Sequence, residues 1–254
     1  MDSSFRERYG PWALVTGASS GIGREIAVQA AERGVNVLLA GRDAARLQEA
    51  AARIRAQGRE AEVLVADLGC DFGIQALLDR TAAFEIGLLV PAAGFGAGGE
   101  FMALARDEAL DMVRLNCESV MRLLLHLTPG MARRGRGGVL LVAGILAFHG
   151  VPYAALYAAT KAFVQSLGEG LATELAGYGV EVLISSPGPT DTGFAARARM
   201  RLPITMRPED VARASLHALG RSRVVLPGAM TKLLHNATFG LPRAAKVRVI
   251  GRIM

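Results

Sequence analysis

Cysteine is scarce in these 254 residues: Cys70 and Cys117 are the only two. A scaffold held by disulfides is thereby excluded, and neither thiol has metal-ligand spacing, so both are expected to be free and buried. The four histidines, His126, His149, His217 and His235, show no H-x-x-H or H-E-x-x-H spacing, so no metal is expected. Uninterrupted apolar runs fall short of the roughly 18 residues that a membrane-spanning helix needs, and the polar opening Met1–Gly10 does not resemble a signal peptide. A cytoplasmic protein is expected. Aromatic-basic and zinc-finger patterns are also missing, which argues against nucleic acid as a partner despite the net charge of +6.

What is present is apolar and segmental. Hydrophobic residues make up 51% and charged residues 20%, enough for a large core and too apolar for disorder. Short β-rich runs at Trp12–Val15, Val35–Ala40, Val63–Ala66, Leu88–Val90, Val139–Val142, Val180–Ile184 and Val224–Leu226 alternate with helical patterns at about 21–33, 43–57, 71–84, 103–130, 155–176 and 208–219. Runs that are apolar throughout suit strands covered on both faces. The expected fold class is α/β, a Rossmann-type doubly wound parallel sheet forming a single domain over 1–254. Beyond Leu226, Pro227-Gly228, a short helix from Met230 and a last helix opened by Pro242 are expected.

The first strand runs into Thr16-Gly17-Ala18-Ser19-Ser20-Gly21-Ile22-Gly23 and then a helix, the context in which a glycine-rich turn binds a dinucleotide. Gly17 permits the turn, Gly21 lets a diphosphate approach the backbone, and Gly23 allows close helix packing; Ser19, Ser20 and Ile22 complete the cradle. The helix N-terminus offers amide donors to the phosphates. A fold that prefers NAD carries an acidic residue at the end of the second strand, whereas this chain has Ala40-Gly41-Arg42. Arg42 suits a 2′-phosphate, with Arg24 or Ser19 as helpers, so the expected cofactor is NADPH. Asp43 is expected to cap the next helix.

Further motifs occur in a fixed order: Asp67-Leu68 after the third strand, Asn116, Tyr157-x-x-x-Lys161, and Pro187-Gly188-Pro189-x-x-Thr192. With the glycine-rich turn, they make the chain resemble the short-chain dehydrogenase/reductase family from about Pro11 to Leu226. The resemblance implies reversible hydride transfer between a nicotinamide and the carbonyl or alcohol of a small-molecule substrate, and a homodimer or homotetramer. It implies that Tyr157 protonates the carbonyl oxygen, that Lys161 orients the ribose and lowers the Tyr157 pKa, and that Asn116 anchors a water. It places Asp67, Leu68, Ala93, Gly94, Pro187, Gly188, Thr190 and Thr192 beside the cofactor.

Two positions depart from the family pattern. Gly144 stands where the family has its catalytic serine, and no serine lies between Gly135 and Tyr157. Deleting such a donor typically costs about a hundred- to a thousandfold in rate. His149 or Tyr153 could substitute, or the substrate's own hydroxyl; otherwise His149 is a loop-surface residue and Tyr153 a pocket wall. Pro91-Ala92-Ala93-Gly94 replaces the family's Asn-Asn-Ala-Gly. A cofactor-binding sensor or scaffold without catalysis, and non-redox chemistry on the same fold, are the alternatives.

Charge is uneven. Residues 197–254 hold twelve of the 29 basic residues but only Glu209 and Asp210 of the 23 acidic ones, net +10 against −4 for the rest. Gly193 to Met206, with Arg197, Arg199 and Arg201, is expected to form a substrate lid. The basic extension 227–254, where Lys232, Arg243, Lys246, Arg248 and Arg252 intersperse with Leu233, Leu234, Phe239, Val249 and Ile250, suits a membrane or carrier-protein contact, or docks on the body of its own subunit.

Overall fold

The computed structural model describes residues 3–193, 205–240 and 242–251. Seven parallel strands form one sheet in the order β3-β2-β1-β4-β5-β6-β7: β1 Trp12–Thr16, β2 Asn36–Gly41, β3 Ala61–Val65, β4 Ile86–Pro91, β5 Gly137–Val142, β6 Val180–Ser185 and β7 Val224–Val225. Every residue of β2, β4 and β5 is buried, as strands covered on both faces require. β3 departs from that expectation. It lies at the sheet edge, and Val65 is 51% exposed, because only one neighbouring strand covers it.

Two apolar layers sandwich the sheet. One packs Ile26, Ala27 and Ala30 of α2 (Gly21–Glu32) and Leu47, Ala50 and Ile54 of α3 (Ala44–Arg55) with Ala212 and Leu216 of the helix Pro208–Ala218. The other packs Ile74 and Leu77 of α4 (Asp71–Thr81) with Leu123 and Leu124 of α6 (Ser119–Arg134) and Val164 of α7 (Ala155–Glu174). Alanines along α2 let that helix approach its neighbour closely, and Gln29 and Arg33 donate to the Glu209 and Leu216 carbonyls at 3.0 and 2.7 Å. The expected doubly wound single domain is the fold observed.

Helix boundaries differ in one region that bears on function. The periodic stretch read as one helix over 103–130 is a 3₁₀ turn at Phe101–Ala103, then α5 (Arg106–Val113), a π-helical stretch Arg114–Glu118, and α6. Apolar spacing cannot register a π insertion, which adds one residue to a turn without breaking the face. α6 also continues through Pro129 to Arg134 and stops at Gly135, left-handed at φ 66.

An N-terminal helix, α1 (Ser3–Tyr9), was not anticipated from its polar sequence. Its Phe5 and Tyr9 are buried, and the Tyr9 hydroxyl donates to Glu181 of β6.

Candidate functional site

β1, β2 and β4 end level, Thr16 pairing with Ala40 on one side and Pro91 on the other. The strand order reverses between β1 and β4, and a doubly wound sheet opens a ligand crevice at such a switch point. The glycine-rich turn lies there, and sterics account for its sequence. A Cβ on Gly17 (φ 65) would stand 2.8 Å from the Ala93 Cα and backbone N; one on Gly21 (φ 58) would stand 2.8 Å from the Thr192 Cβ; one on Gly23 would stand 2.6 Å from the Gly17 carbonyl oxygen. At Gly17 and Gly23 the obstruction is backbone, which cannot yield as a flexible side chain does, and at Gly21 the Thr192 side chain and the left-handed φ together disfavour any other residue.

The same contacts join motifs that are distant in sequence. The Ala93 amide donates to the Thr16 hydroxyl at 3.1 Å, so the Pro91–Gly94 segment reaches the turn without the family's asparagines. Pro91 is the last residue of β4, where its missing donor is tolerated. Thr192 packs over Gly21, and its hydroxyl donates to the Thr190 carbonyl at 3.4 Å, while Thr190 Oγ1 donates to the Gly188 carbonyl at 3.0 Å. Gly188 is held in turn by its amide donating to Thr231 Oγ1 at 3.1 Å. Thus Gly17–Gly23, Ala93-Gly94 and Pro187–Thr192 line one crevice.

Arg42 follows β2 and is exposed. Ser19 Oγ lies 3.7 Å from the Cβ position of Gly41, so Ser19 and Arg42 flank the same strand end. Arg24, the other expected helper, is drawn elsewhere. Its Nε donates to Glu25 at 2.9 Å, and Arg53 donates to the same carboxylate at 3.0 Å. Burial alone would raise the Glu25 pKa, but the bonds from Arg53 and Arg24 hold it below the ordinary value. Asp43 caps α3 by accepting from the Arg46 amide at 3.1 Å. Asp67 accepts from the Gly69 amide at 3.0 Å, and Leu68 is buried beside it.

On the other side of the crevice stand Asn116, Tyr157 and Lys161. Asn116 sits in the π-helical stretch and is buried. Its Oδ1 accepts from the Phe95 amide at 3.1 Å, and its Nδ2 donates to the Phe95 carbonyl at 2.8 Å and to Thr160 Oγ1 at 3.0 Å. Thr160 Oγ1 donates to the Tyr157 carbonyl at 2.8 Å. Both amide hydrogens of Asn116 are therefore engaged, and its side chain clamps the loop after Gly94 to the helix carrying the tyrosine. Thr160 is the link that sequence reasoning missed, although it adjoins Lys161. Gly94 leaves room for this clamp, since a Cβ there would meet Asn116 Oδ1 at 2.9 Å.

Tyr157 and Lys161 lie one helical turn apart on α7, with Lys161 Nζ 5.9 Å from the Tyr157 ring centroid and donating to the Val142 carbonyl at 2.9 Å. Burial pulls the Lys161 pKa down to about 8, opposed by the charge of Cys117. Burial pushes the Tyr157 phenol up. That direction reverses the expected one: the loss of water around the ring is its cause, and the neighbouring Lys161 does not bring the phenol down.

Other expectations are corrected as well. Cys70 is exposed at the start of α4 and Cys117 is half-buried; both are free, but neither is a core residue. His149 is buried at 8% exposure, and burial, with the charges of Lys246, His235 and Arg243, pushes its pKa down. A loop position did not reveal the C-terminal helices that cover it. Tyr153 is 54% exposed and stands at φ 60, the single non-glycine residue at positive φ among the described residues. The Cβ position of Gly144 meets nothing nearer than the Pro187 carbonyl oxygen, at 3.8 Å.

The C-terminal segment forms helices Ala229–Phe239 and Arg243–Gly251. Residues 194–204, with Arg197, Arg199 and Arg201, lie outside the described residues, as do Arg252 and the side chains of Phe239, Val249 and Ile250. Among the described residues no helix is long and apolar enough to cross a membrane.

The family model described as short chain dehydrogenase matches residues 11–202. The chain belongs to the short chain dehydrogenases. This dehydrogenase is 31% identical over 234 residues to a 7beta-hydroxysteroid dehydrogenase of Clostridium sardiniense, covering 90% of each chain. It is also 31% identical to a very-long-chain 3-oxoacyl-CoA reductase of Coccidioides immitis, over 87% of its own length and 64% of that protein's. Among solved structures, a short-chain dehydrogenase from Sphingobium yanoikuyae in complex with NADPH superposes with a TM-score of 0.82 at 30% identity, covering 92% of this chain and 98% of that one. The dehydrogenase is accordingly an oxidoreductase that binds a nicotinamide dinucleotide.

Proposed function

We propose that this dehydrogenase uses NADPH to reduce a ketone-type carbonyl, with Tyr157 as proton donor. The observation that carries the reading is the clamp Phe95–Asn116–Thr160–Tyr157, which fixes the tyrosine and Lys161 beside the glycine-lined crevice. What supports a dinucleotide there is that Gly17, Gly21 and Gly94, at the switch point of the sheet, cannot carry a Cβ without meeting Ala93, Thr192 or Asn116, which keeps the backbone bare for a phosphate or ring to approach. The turn residues Gly17, Ser19, Ser20, Gly21, Ile22 and Gly23 would hold the diphosphate, Asp67 and Leu68 the adenine side, and Ala93, Gly94, Pro187, Gly188, Thr190 and Thr192 the nicotinamide side. Arg42, exposed beside Ser19 at the strand end Ala40-Gly41-Arg42, where no acidic residue stands, favours the 2′-phosphate of NADPH over the free hydroxyl of NADH.

The reduced nicotinamide supplies the hydride. Tyr157, kept protonated by burial, donates its Oη proton to the carbonyl oxygen, which becomes the product hydroxyl. Lys161, with a pKa near 8, holds or releases a proton near neutral pH and can restore charge balance around the tyrosine. Asn116 acts as a positioning residue. Because residue 144 offers no side chain, the tyrosine works without the family's serine, and slower turnover than in a serine-bearing site follows. The exposed Leu110, Val113, Met121 and Leu125 of α5 and α6 suit burial between subunits of a homodimer or homotetramer.

Calorimetric titration with NADPH and NADH tests the cofactor assignment. Wild type is expected to bind NADPH tightly and NADH weakly. Arg42→Ala is expected to lose about 10- to 100-fold in NADPH affinity, the range for a charge-assisted hydrogen bond of about 1.5–3 kcal/mol, with NADH unaffected. Equal affinity for both dinucleotides, or an Arg42→Ala variant indistinguishable from wild type, would contradict it.

A further inference from the structure

The motif Pro187-Gly188-Pro189 that follows β6 offers a single amide hydrogen, that of Gly188, because neither proline carries one. Gly188 is buried, so its N–H needs an acceptor inside the protein. That acceptor comes from 43 residues further along the chain: the amide donates to Thr231 Oγ1 at 3.1 Å. Thr231 lies in the first turn of the helix Ala229–Phe239 and is 2% exposed. Its hydroxyl is engaged in both directions, accepting from Gly188 and donating to Met206 Sδ at 3.7 Å. The fit is close. A Cβ on Gly188 would stand 2.6 Å from Thr231 Oγ1, and one on Gly228, at the turn into the helix, 2.6 Å from Met206 Sδ.

Met206 carries this junction to the other end of the motif. Its amide donates to the Pro189 carbonyl at 2.8 Å, and its carbonyl accepts from the Asp191 amide at 2.8 Å. One helical turn after Thr231, on the same helix face, the His235 ring meets the Phe148 ring with centroids 4.5 Å apart. Phe148 ends the 3₁₀ turn Ile145–Phe148 in the loop after β5, and the Ile145 amide donates to the Pro187 carbonyl at 2.9 Å. One helix from the end of the chain therefore braces the loops after β5 and β6 together, with Thr231 Oγ1 as its hold on the second.

We propose that Thr231 is a positioning residue for the nicotinamide half of the cofactor. By holding the Gly188 amide it fixes the segment Pro187–Thr192 where that segment meets the ring, while the diphosphate and adenine rest on the glycine-rich turn and Asp67-Leu68. This deepens the reductase reading and rests on its assignment of Pro187–Thr192 to the nicotinamide side. Without the hydroxyl, the Gly188 amide turns toward other acceptors and the segment loses its register. Hydride transfer is sensitive to such a shift, since a misplacement of about 1 Å costs about a hundredfold in rate. Thr231 acts through Gly188 rather than on the reacting atoms.

The test is calorimetric titration of wild type, Thr231→Val, Thr231→Ala and Thr231→Ser with NADPH and with 2′-phospho-ADP-ribose, the same molecule without its nicotinamide. Wild type is expected to bind NADPH about tenfold more tightly than the truncated nucleotide, and Thr231→Val and Thr231→Ala to reduce that preference below about threefold by weakening NADPH alone. Thr231→Ser, which keeps the acceptor, is expected to retain it. The alanine variant carries the comparison if the valine variant does not fold, and thermal melting reports which of them does. A preference unchanged in both variants, an equal loss of affinity for the two nucleotides, a loss of the preference in Thr231→Ser, or no preference in wild type overturns the proposal and leaves the cofactor assignment standing. Failure of wild type to bind either nucleotide contradicts the cofactor assignment itself, and the proposal with it. Ketone turnover does not enter the comparison, so a failure of the reductase reading shows separately.

Discussion

The two walls of the crevice are built on different principles. The wall formed by the glycine-rich turn and Ala93-Gly94 is backbone against backbone, with hypothetical Cβ atoms 2.6–2.8 Å from main-chain atoms at Gly17 and Gly23. The wall formed by the Gly144 loop is looser: a Cβ at Gly144 has 3.8 Å of clearance, and the loop's outer side rests on helices from the end of the chain. Steric necessity leaves a mark in local sequence, because only glycine fits. Packing supplied by residues some ninety positions away leaves no such mark.

Paired substitutions sharpen that contrast. Gly17→Ala forces both a disfavoured φ and a backbone collision, and dinucleotide affinity measured by calorimetry is expected to fall more than a hundredfold. Gly144→Ala has room for its Cβ but not the backbone for it, since φ 157, ψ 161 lies in a region that only glycine adopts readily. The loop must shift at a cost of about 1–3 kcal/mol, and because that strain falls outside the glycine-rich turn, affinity is expected to change less than tenfold. Comparable losses in the two variants would break the comparison. The pH profile gives the smallest effect. Lys161 is charged below about pH 8 and neutral above it, so the reduction rate, kcat/KM, is expected to fall gradually as pH rises through that value. In Lys161→Arg, whose charge persists, this descent near pH 8 is expected to disappear even if the rate itself is reduced. A profile unaltered by the substitution would assign the titration to another group.

The same contrast accounts for what could be read beforehand. The parallel sheet was legible because β2, β4 and β5 are apolar throughout, and Gly17, Gly21 and Gly23 announced the crevice through their spacing. The order of Asn116, Tyr157 and Lys161 suggested a site, but not that Asn116 would be occupied with Phe95 and Thr160. Hydrogen bonds across 21 and 44 residues are not encoded in any short motif. The burial of His149 and the upward shift at Tyr157 were likewise inaccessible, since each depends on the solvent that tertiary packing removes. Cys70 was misplaced because scarcity argues against a disulfide without locating a thiol.

The central claim, that Tyr157 donates the proton in an NADPH-dependent carbonyl reduction, is tested most directly by Tyr157→Phe. NADPH consumption would be followed across a panel of ketones, quinones and enones, with NADPH affinity measured in parallel. The account expects turnover by wild type on at least one ketone, a fall of about 10²- to 10⁴-fold in Tyr157→Phe, and unchanged NADPH affinity. Undiminished turnover in the variant, or no NADPH consumption by wild type with any member of the panel, would contradict it.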